Sequence, residues 1–479
     1  MRKTTTIRIG GASGFWGDSP VGATQLIQDG QVDYLVFDYL AELTMSIMAS
    51  ARIRQPDLGY ATDFVNVTLK SILPEIVHQG VRVVSNAGGM NPHACARALE
   101  ALAAEMGLTV CIAVVEGDDV LPQMPALRAA GLNQGIEGYG LPDDMVSANA
   151  YLGALPIRDA LDRGAQVVIT GRCVDSAVTL GVLMHEFNWR DADYDLLAQG
   201  SLAGHIIECG CQATGGLHTD WELVPDWPHI GYPIIECHAN GHFTVTKPAG
   251  TGGLVSLATV AEQILYEIGD PAAYELPDVI CDFTQVTLVQ LNSNEVSVTG
   301  AKGRVPSSRY KVSATHRDGF RCNADLVIVG QDAAAKAQRT AEAILERVRG
   351  ICIQKAWGDF NRTHIDVIGS EGMYGPHAIT RHSREVVMRL AVTHNRKEAL
   401  ERFAMEIAAA GTSWSPGTAG SITSGRPSVT PLIRQCAFWL EKNLVSIHVV
   451  IKDERREVKI PIDSKAAHIH PHDQSTAQS

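Results

Sequence analysis

Residues 81–119 read VRVVSNAGGMNPHACARALEALAAEMGLTVCIAVVEGDD. The stretch holds two short apolar runs, each followed by a polar loop, with an alanine-rich segment of helical periodicity between them. Short apolar strands that alternate with helices predict a parallel sheet that is covered on both faces. Right-handed connections bring the loops that follow such strands to one edge of the sheet. Ligands bind at that edge, so the loops near Asn86 and Glu116 are the first candidates for a site.

The same alternation continues on either side of this stretch. Strand-like runs separated by helix-like segments occur at residues 4–10 (TTTIRIG), 33–40 (DYLVFDYL) and 165–171 (AQVVITG). From about residue 197 the pattern changes to period-two runs with amphipathic helices, including a hairpin predicted at 433–452. We predict an α/β protein: a Rossmann-like N-terminal parallel sheet with helices on both faces, followed by α+β middle and C-terminal layers. The predicted domains are residues 1–196, 197–350 and 351–462, with a disordered tail at 463–479.

The composition is that of a globular protein. Of the 479 residues, 45% are hydrophobic and 19% are charged, which excludes wholesale disorder. The formal net charge of −13 argues against nucleic acid as a partner, because phosphate binding needs a basic surface. The ten cysteines are dispersed, several inside apolar runs, as expected of free thiols in a reducing compartment. No secretory leader and no membrane-length apolar run is recognisable, so we expect a cytoplasmic protein that binds no membrane.

The strand-to-helix loops supply the candidates for catalysis and binding. The catalytic candidates are four carboxylates that follow strands, Asp38, Glu116, Asp118 and Asp119. A carboxylate acts as a general acid or base where burial and mutual repulsion shift its pKa. The candidates for substrate contacts and oxyanion stabilisation are Ser13, Gly14, Asn86, Gly88, Arg172 and Asp175. The structural alternative is that these residues form helix caps, tight turns and an ion pair between Arg172 and Asp175.

The segment KPAGTGG at residues 247–253 is the best candidate for an anion site. A glycine loop that leads into a helix leaves backbone N–H groups free, and the helix dipole favours negative charge there. Lys247 adds a full positive charge. The predicted contacts to a phosphate or carboxylate are Lys247, Gly250, Thr251, Gly252 and Gly253. The alternative is a flexible loop with a solvated lysine.

Two further motifs suggest cofactors only weakly. The glycines Gly11, Gly14 and Gly17 follow a strand and resemble a dinucleotide fingerprint, but the Asp-Ser-Pro at 18–20 predicts that the helix starts after the loop. The segment HIIECGC at 205–211 has ligand-type residues without the spacing of a structural zinc site. We therefore predict neither a metal nor a cofactor. Cys209 in that segment is predicted to be either a reactive thiol or a buried one.

Taken together, the loops resemble a known family. The resemblance begins with Arg8-Ile9-Gly10 and Ser13-Gly14-Phe15-Trp16-Gly17-Asp18. It continues through the segments DYLVFDYLAELTM, VVSNAGGMNP, VVEGDD, SANAYLGA, ITGRCVDSAVTLG, AGHIIECG, TGG, VTKPAGTGGLVS and LYEIGDPAAY. In these segments, from about residue 7 to 455, the chain is similar to the acyclic terpene utilisation A family. The resemblance implies a role in the breakdown of acyclic terpenes and other branched acids as coenzyme A thioesters. Cys211 is not part of the family pattern, which argues further against a metal.

Many longer members of that family carry a C-terminal ferredoxin-like domain. Because this chain stops without one, the resemblance implies a separate small ferredoxin-fold subunit. We expect an enzyme that hydrates or dehydrates an acyl-CoA or related carboxylic substrate, since such chemistry needs a carboxylate and an oxyanion site. Coenzyme A then enters only as part of the substrate. The alternatives are a non-catalytic subunit or scaffold for a small partner and, with less support, a nicotinamide-dependent oxidoreductase. A homo-oligomer is expected on general grounds.

Overall fold

A computed structural model describes residues 6–380, 382–422 and 425–462. The tail predicted to be disordered, residues 463–479, lies outside the described residues. The strands are β1 (Thr6–Gly11), β2 (Tyr34–Phe37), β3 (Arg82–Ser85), β4 (Ile112–Glu116), β5 (Met145–Ala150), β6 (Val167–Thr170), β7 (Ile234–His238), β8 (Phe243–Thr246), β9 (Tyr274–Glu275), β10 (Ile280–Asp282), β11 (Thr287–Asn292), β12 (Glu295–Thr299), β13 (Lys302–Arg304), β14 (Arg309–Val329), β15 (Arg362–Ile368), β16 (Glu385–His394), β17 (Thr418–Gly420), β18 (Val429–Glu441), β19 (His448–Ile451) and β20 (Glu454–Glu457). The α-helices are α1 (Val21–Asp29), α2 (Glu42–Arg54), α3 (Lys70–Gln79), α4 (Pro92–Glu105), α5 (Met124–Ala129), α6 (Leu155–Asp162), α7 (Ala177–Phe187), α8 (Tyr194–Glu208), α9 (Leu257–Leu265), α10 (Ala333–Gln354), α11 (Lys397–Ile407) and α12 (Ala410–Ser413).

The chain forms two compact units. Residues 6–315 together with 435–462 make the first unit, and the described residues of 316–434 make the second. The boundaries predicted from the sequence, at residues 196 and 350, do not coincide with this division. The first unit takes in most of the predicted middle segment because several of its strands join the N-terminal sheet.

The central sheet of the first unit contains the predicted parallel strands. Among the described residues it has eleven strands in the order β11-β12-β8-β7-β1-β2-β3-β6-β4-β19-β20. The five strands β1, β2, β3, β6 and β4 run parallel to one another. The α/β fold class predicted from the alternating strand and helix patterns is therefore confirmed.

Helices cover both faces of the parallel strands, as β2 illustrates. Tyr34 and Val36 belong to the apolar core that includes α6, α7 and α8. Leu35 and Phe37 belong to the core that includes α1, α2, α3 and α4. Successive side chains of a strand point to opposite faces of a sheet, so an uninterrupted apolar run is what a strand covered on both faces requires.

Antiparallel strands from distant parts of the chain extend this sheet at both ends. On one side β7 pairs with β1, and β8 leads on to the hairpin of β11 and β12. On the other side β19 pairs with β4, with Val449 opposite Val115. The hairpin predicted at 433–452 is wrong, because β18 pairs with β14 whereas β19 pairs with β4 and β20. Apolar alternation specifies which side chains of a strand are buried, but not which strand lies beside it.

The second unit is a smaller α+β layer. The C-terminal part of β14 lies between β16 and β17, and β15 pairs with β16. Its apolar core joins α10 to α11 and the sheet through side chains such as Leu345, Phe403 and Met388.

Candidate functional site

A cavity opens in the first unit beside the loop that follows β6, one of the parallel strands. Its volume is about 170 Å³, and its lining includes Tyr151, Asp175, Glu208, Tyr274, Arg309 and Lys311. We call it the carboxylate pocket. The lining comes from the segment after β5, the loop after β6, the end of α8 and the start of β14, so only folding brings it together.

Arg172 places a fixed positive charge beside the pocket. Its side chain is buried, and Nη1 donates to Oδ1 of Asp175 at 2.6 Å and to the backbone carbonyl of Cys173 at 3.0 Å. The guanidinium carbon lies 4.2 Å from the ring centroid of Tyr151. Burial disfavours the charge, but Asp175, Tyr151 and Asp38 outweigh burial and raise the pKa of Arg172 above its usual value. Among the described residues, Nε of Arg172 is buried without a hydrogen-bond partner, so one donor is unused.

Asp38 joins the same charged group from the end of β2. Its Oδ1 accepts hydrogen bonds from Nδ2 of Asn86 at 2.5 Å and from the backbone N–H of Leu40 at 3.3 Å. Burial, followed by the charge of Asp175, raises the pKa of Asp38 well above its usual value, whereas Arg172 opposes the shift. Two residues predicted to belong to the site, Asp38 and Asn86, therefore contact each other.

Glu208, at the end of α8, lines the pocket itself. Its Oε1 lies 2.8 Å from Nδ1 of His205, one helical turn earlier, and both side chains are buried. Burial raises the pKa of Glu208 to about 7; His205 opposes the shift and Asp175 adds to it. In the described part of the chain Nε2 of His205 is buried with no partner. A carboxyl group with a pKa near neutrality is suited to exchange protons with a substrate.

Several residues of the pocket were missed by the sequence analysis. The i, i+3 spacing of His205 and Glu208 places them on one side of a helix. The sequence prediction treated the two residues only as possible metal ligands and not as a hydrogen-bonded acid–base pair. Arg309 and Lys311 carried no signal, because alternating charged and apolar residues are ordinary on a half-exposed strand. Tyr151 lay in one of the family-like segments without an assigned role.

Two of the predicted catalytic acids, Glu116 and Asp119, are not among the residues that line the pocket. Glu116 Oε2 is 2.6 Å from Nε2 of His93, and Oε1 accepts from Nε of Arg455, also at 2.6 Å. Burial favours the neutral acid, but these two partners outweigh it and lower the pKa of Glu116. Asp119 accepts the backbone N–H of Leu121 at 3.1 Å, and burial raises its pKa. Since neither acid lines the pocket, proton transfer to a substrate there is not supported for either of them.

Asp118 fixes the backbone of the loop that carries Arg172. Its Oδ2 accepts from the backbone N–H of Arg172 and from Nδ2 of Asn149, both at 2.8 Å. Burial raises the pKa of Asp118 to about 7. It is not among the lining residues of the pocket, so it supports the site without facing a substrate.

The pKa of Asp118 predicts a pH dependence of stability. Because the folded state raises this pKa, the neutral acid stabilises the fold fully below about pH 4, and this contribution is lost as the pH rises through about 7. Asp118→Asn should remove this contribution, on the order of 1 kcal/mol for each pH unit in that window, and leave the contribution of Glu208 in place. Urea unfolding of both proteins at several pH values tests this. The pKa of Asp193 is instead lowered by its bond to Arg190, so the stabilising contribution of Asp193 is lost as the pH falls. Parallel stability curves for wild type and Asp118→Asn would contradict the assignment.

The predicted loop contacts Ser13 and Gly14 serve packing. Oγ of Ser13 donates to the backbone carbonyls of Phe15 and Asp38, at 3.1 and 3.3 Å. A Cβ on Gly14 would lie 2.6 Å from the backbone carbonyl carbon of Cys209. The glycine loop therefore rests directly on the chain after α8, and α1 begins only at residue 21. This close contact gives the dinucleotide interpretation no support.

Gly88 has a similar packing role, which predicts a large cost for a small substitution. A Cβ there would lie 2.5 Å from the carbonyl oxygen of Thr170 and 2.6 Å from Cβ of Pro92, neither of which can easily move. We expect Gly88→Ala to lower the free energy of unfolding by about 1–3 kcal/mol, as measured in urea. Gly350→Ala, in α10, is the control: nothing lies within 4 Å of its Cβ, so the variant should gain up to about 1 kcal/mol. Equal stability of Gly88→Ala and wild type would contradict this role.

The glycine loop at 247–253 does not offer the donors predicted for an anion. Nζ of Lys247 donates to the backbone carbonyl of Thr251 at 2.6 Å and to its Oγ1 at 3.3 Å. The backbone N–H groups of Thr251, Gly252 and Gly253 donate to the carbonyls of Pro248, His229 and Pro225. Gly250 adopts φ 76°, which suits glycine in a tight turn. An anion site at this loop is not supported, because Lys247 and the N–H groups of Thr251, Gly252 and Gly253 already have partners within the fold.

The start of α9 is likewise closed to an anion. The helix begins at Leu257, and Ser256 and Thr259 form a reciprocal capping box over its first turn. The capping bonds occupy the N–H groups of Ser256 and Thr259, which follow the residues predicted to bind the anion.

Cys209, next to Glu208, was predicted to be either a reactive or a buried thiol. Burial raises the pKa of the Cys209 thiol above its ordinary value, so the nucleophilic thiolate is disfavoured and a reactive cysteine is not supported. Within residues 6–380, 382–422 and 425–462, no group of three or more His, Cys, Asp or Glu side chains is arranged to hold a metal ion. No helix in those same ranges has the length and apolar character needed to cross a bilayer.

Comparison with known proteins identifies the family. The match to the acyclic terpene utilisation family protein AtuA covers residues 7–451, and that range includes all the segments that build the carboxylate pocket. No curated protein and no solved structure matches the chain. Since the match covers nearly the whole sequence, the chain belongs to the acyclic terpene utilisation family AtuA.

Proposed function

We propose that the protein is an enzyme of branched-chain or terpenoid acid breakdown that adds water to, or removes it from, an acyl-CoA thioester. The observation that carries the proposal is the carboxylate pocket, which is lined by Glu208, with a pKa of about 7, and by Asp175, the partner of the buried Arg172. Carboxyl groups with shifted pKa values that converge on a cavity are typical of acid–base enzymes. Membership of the AtuA family supports the metabolic context.

The proposed chemistry assigns proton transfer to Glu208. In the hydration direction, ionised Glu208 accepts a proton from water as the water oxygen bonds to the β-carbon of an unsaturated thioester. The electron pair of the double bond moves toward the thioester oxygen, and the positive charge of Arg172 stabilises the resulting oxyanion. The protonated Glu208 then gives this proton to the α-carbon as the oxyanion returns to the thioester carbonyl, which completes the addition and restores the carboxylate. Asp38 and Asp175 act through Arg172 by fixing its position and charge.

The size of the pocket limits which part of the substrate enters it. A cavity of about 170 Å³ accepts an acyl group but not coenzyme A, which is far larger. The nucleotide end must therefore bind another surface. The loop at 247–253 is a poor choice because its donors have partners within the protein. We propose that a small ferredoxin-fold subunit completes this surface.

A ligand screen tests the proposal. The melting temperature of the protein should rise with an unsaturated acyl-CoA, because a ligand that binds only the folded state stabilises it. The same thioester should lose its enoyl absorbance on turnover. Lys247→Ala should keep the full ligand-induced shift of the melting temperature, because Lys247 is hydrogen-bonded to Thr251. Loss of the shift in this variant would instead support an anion site at the glycine loop. Absence of both a shift and turnover across the panel, with a small partner protein added, would contradict the enzyme proposal.

A second candidate function, a scaffold for a partner protein, has its own supporting observation. Leu217, Trp221, Leu223 and Trp227 are all more than half exposed, and the rings of Trp221 and Trp227 pack edge to face at 5.9 Å. A contiguous exposed apolar patch of this kind is typical of interaction surfaces. The shifted carboxyl groups of the pocket favour the enzyme as the first choice, and the patch is compatible with an enzyme that also binds a subunit.

A further inference from the structure

The start of β14 contributes two cations to one wall of the carboxylate pocket. Arg309 and Lys311 both line the cavity, whereas Tyr310 between them is fully buried in the apolar core. This arrangement follows from the period-two alternation of a strand. The wall therefore carries two positive charges side by side on the same face of one rigid element.

Aromatic rings support both cations. The guanidinium carbon of Arg309 lies 5.3 Å from the ring centroid of Trp439, and Nζ of Lys311 lies 5.4 Å from that of Tyr151. Within the described ranges neither side chain forms an ion pair with a carboxylate. Glu42 accepts a hydrogen bond from the hydroxyl of Tyr151 at 2.5 Å. Burial raises the pKa of Glu42, but this bond and, to a smaller extent, the charge of Lys311 lower it.

The pocket thus holds separated charges of both signs. Asp175 and Glu208 line the same cavity as Arg309 and Lys311, yet no salt bridge joins the two pairs among the described residues. Asp175 is bound to Arg172, and Glu208 to His205. An anionic group on a ligand would complete the cationic wall, and the fork of an arginine is well matched to a carboxylate.

We propose that Arg309 and Lys311 form a subsite for a carboxylate carried by the acyl group, so the substrate is the coenzyme A hemithioester of a dicarboxylic acid. This inference rests on the proposed function and specifies its substrate class. The free carboxylate binds the cationic wall against Trp439, and the carbons next to the thioester lie toward Glu208. A neutral acyl chain of the same shape leaves the two cations without a counterion.

Two matched ligands test the subsite. One is the hemithioester of an unsaturated six-carbon dicarboxylic acid; the other carries an isopropyl group in place of its free carboxylate. Wild type should prefer the first, and Arg309→Gln or Lys311→Gln should raise its KM by about 10- to 100-fold with no change for the second. Lys70→Gln, an exposed lysine outside the pocket, is the control and should alter neither KM. Ligand-induced shifts of the melting temperature report binding independently of turnover.

The outcomes separate this inference from the proposed function. Preferential binding of the dicarboxylic hemithioester that depends on Arg309, without turnover, supports the subsite and overturns the hydration reaction. Turnover of both thioesters by the wild type with equal KM overturns the subsite and leaves the hydration reaction standing. An equal loss of turnover of both thioesters in Arg309→Gln has the same meaning.

Discussion

Glu208→Gln is expected to lower kcat for the acyl thioester by about 100- to 10,000-fold, the usual contribution of a general acid or base. Glutamine keeps the shape of the side chain and can still contact His205, 2.8 Å away in the wild type. Its amide, however, neither accepts nor releases a proton near neutral pH. In the wild type, kcat/KM should rise with pH through about 7, because the ionised form of Glu208 accepts the proton from water. Steady-state kinetics over this pH range measure both effects.

The matched control is Glu262→Gln. Glu262 also forms a bond to a histidine, 2.7 Å from Nδ1 of His218, but it does not line the carboxylate pocket. This variant should retain wild-type kcat and its pH profile. If Glu208→Gln keeps full turnover on a confirmed substrate, Glu208 is not the proton-transfer group.

Arg172→Met is expected to cost about 3–5 kcal/mol of the free energy of unfolding, with the lower end favoured because Asp175 is one-third exposed. Methionine has a similar length but leaves Asp38 and Asp175 without their buried counter-charge, and it removes the contact with Tyr151. The loss should appear in urea unfolding curves. The pKa of Asp38 should rise further, since Arg172 opposes its present shift.

The chain offers an equivalent pair on its surface as a control. Arg190 and Asp193 have the same i, i+3 spacing and the same 2.6 Å distance, but Arg190 is exposed. Arg190→Met should leave the melting temperature unchanged, because surface ion pairs contribute little. If both substitutions cost the same, burial is not what makes the Arg172 pair important.

Four of the predicted site residues lie in loops that follow parallel strands of the central sheet. Asp38, Asn86, Arg172 and Asp175 were predicted to share one edge of a sheet, and the structure joins them through hydrogen bonds and charge. Their prediction succeeded because parallel strands connected by helices leave little choice for where the loops lie. Glu116 follows the same rule, yet its side chain bonds His93 and Arg455. The rule places a backbone loop at an edge, but it does not determine where a side chain points.

The sequence by itself determined the class of the fold, the parallel strands, the edge at which the loops after these strands meet, and the family. These follow from local periodicity, turn residues and continuous motifs, which every short segment carries on its own. Only the tertiary structure decided that Glu208 and Arg309, about a hundred residues apart, line one cavity. It also decided that Lys247 is bound to its own loop and that β19 pairs with β4. Such contacts depend on how side chains from distant segments pack and satisfy one another, and the local pattern of either segment does not contain that information.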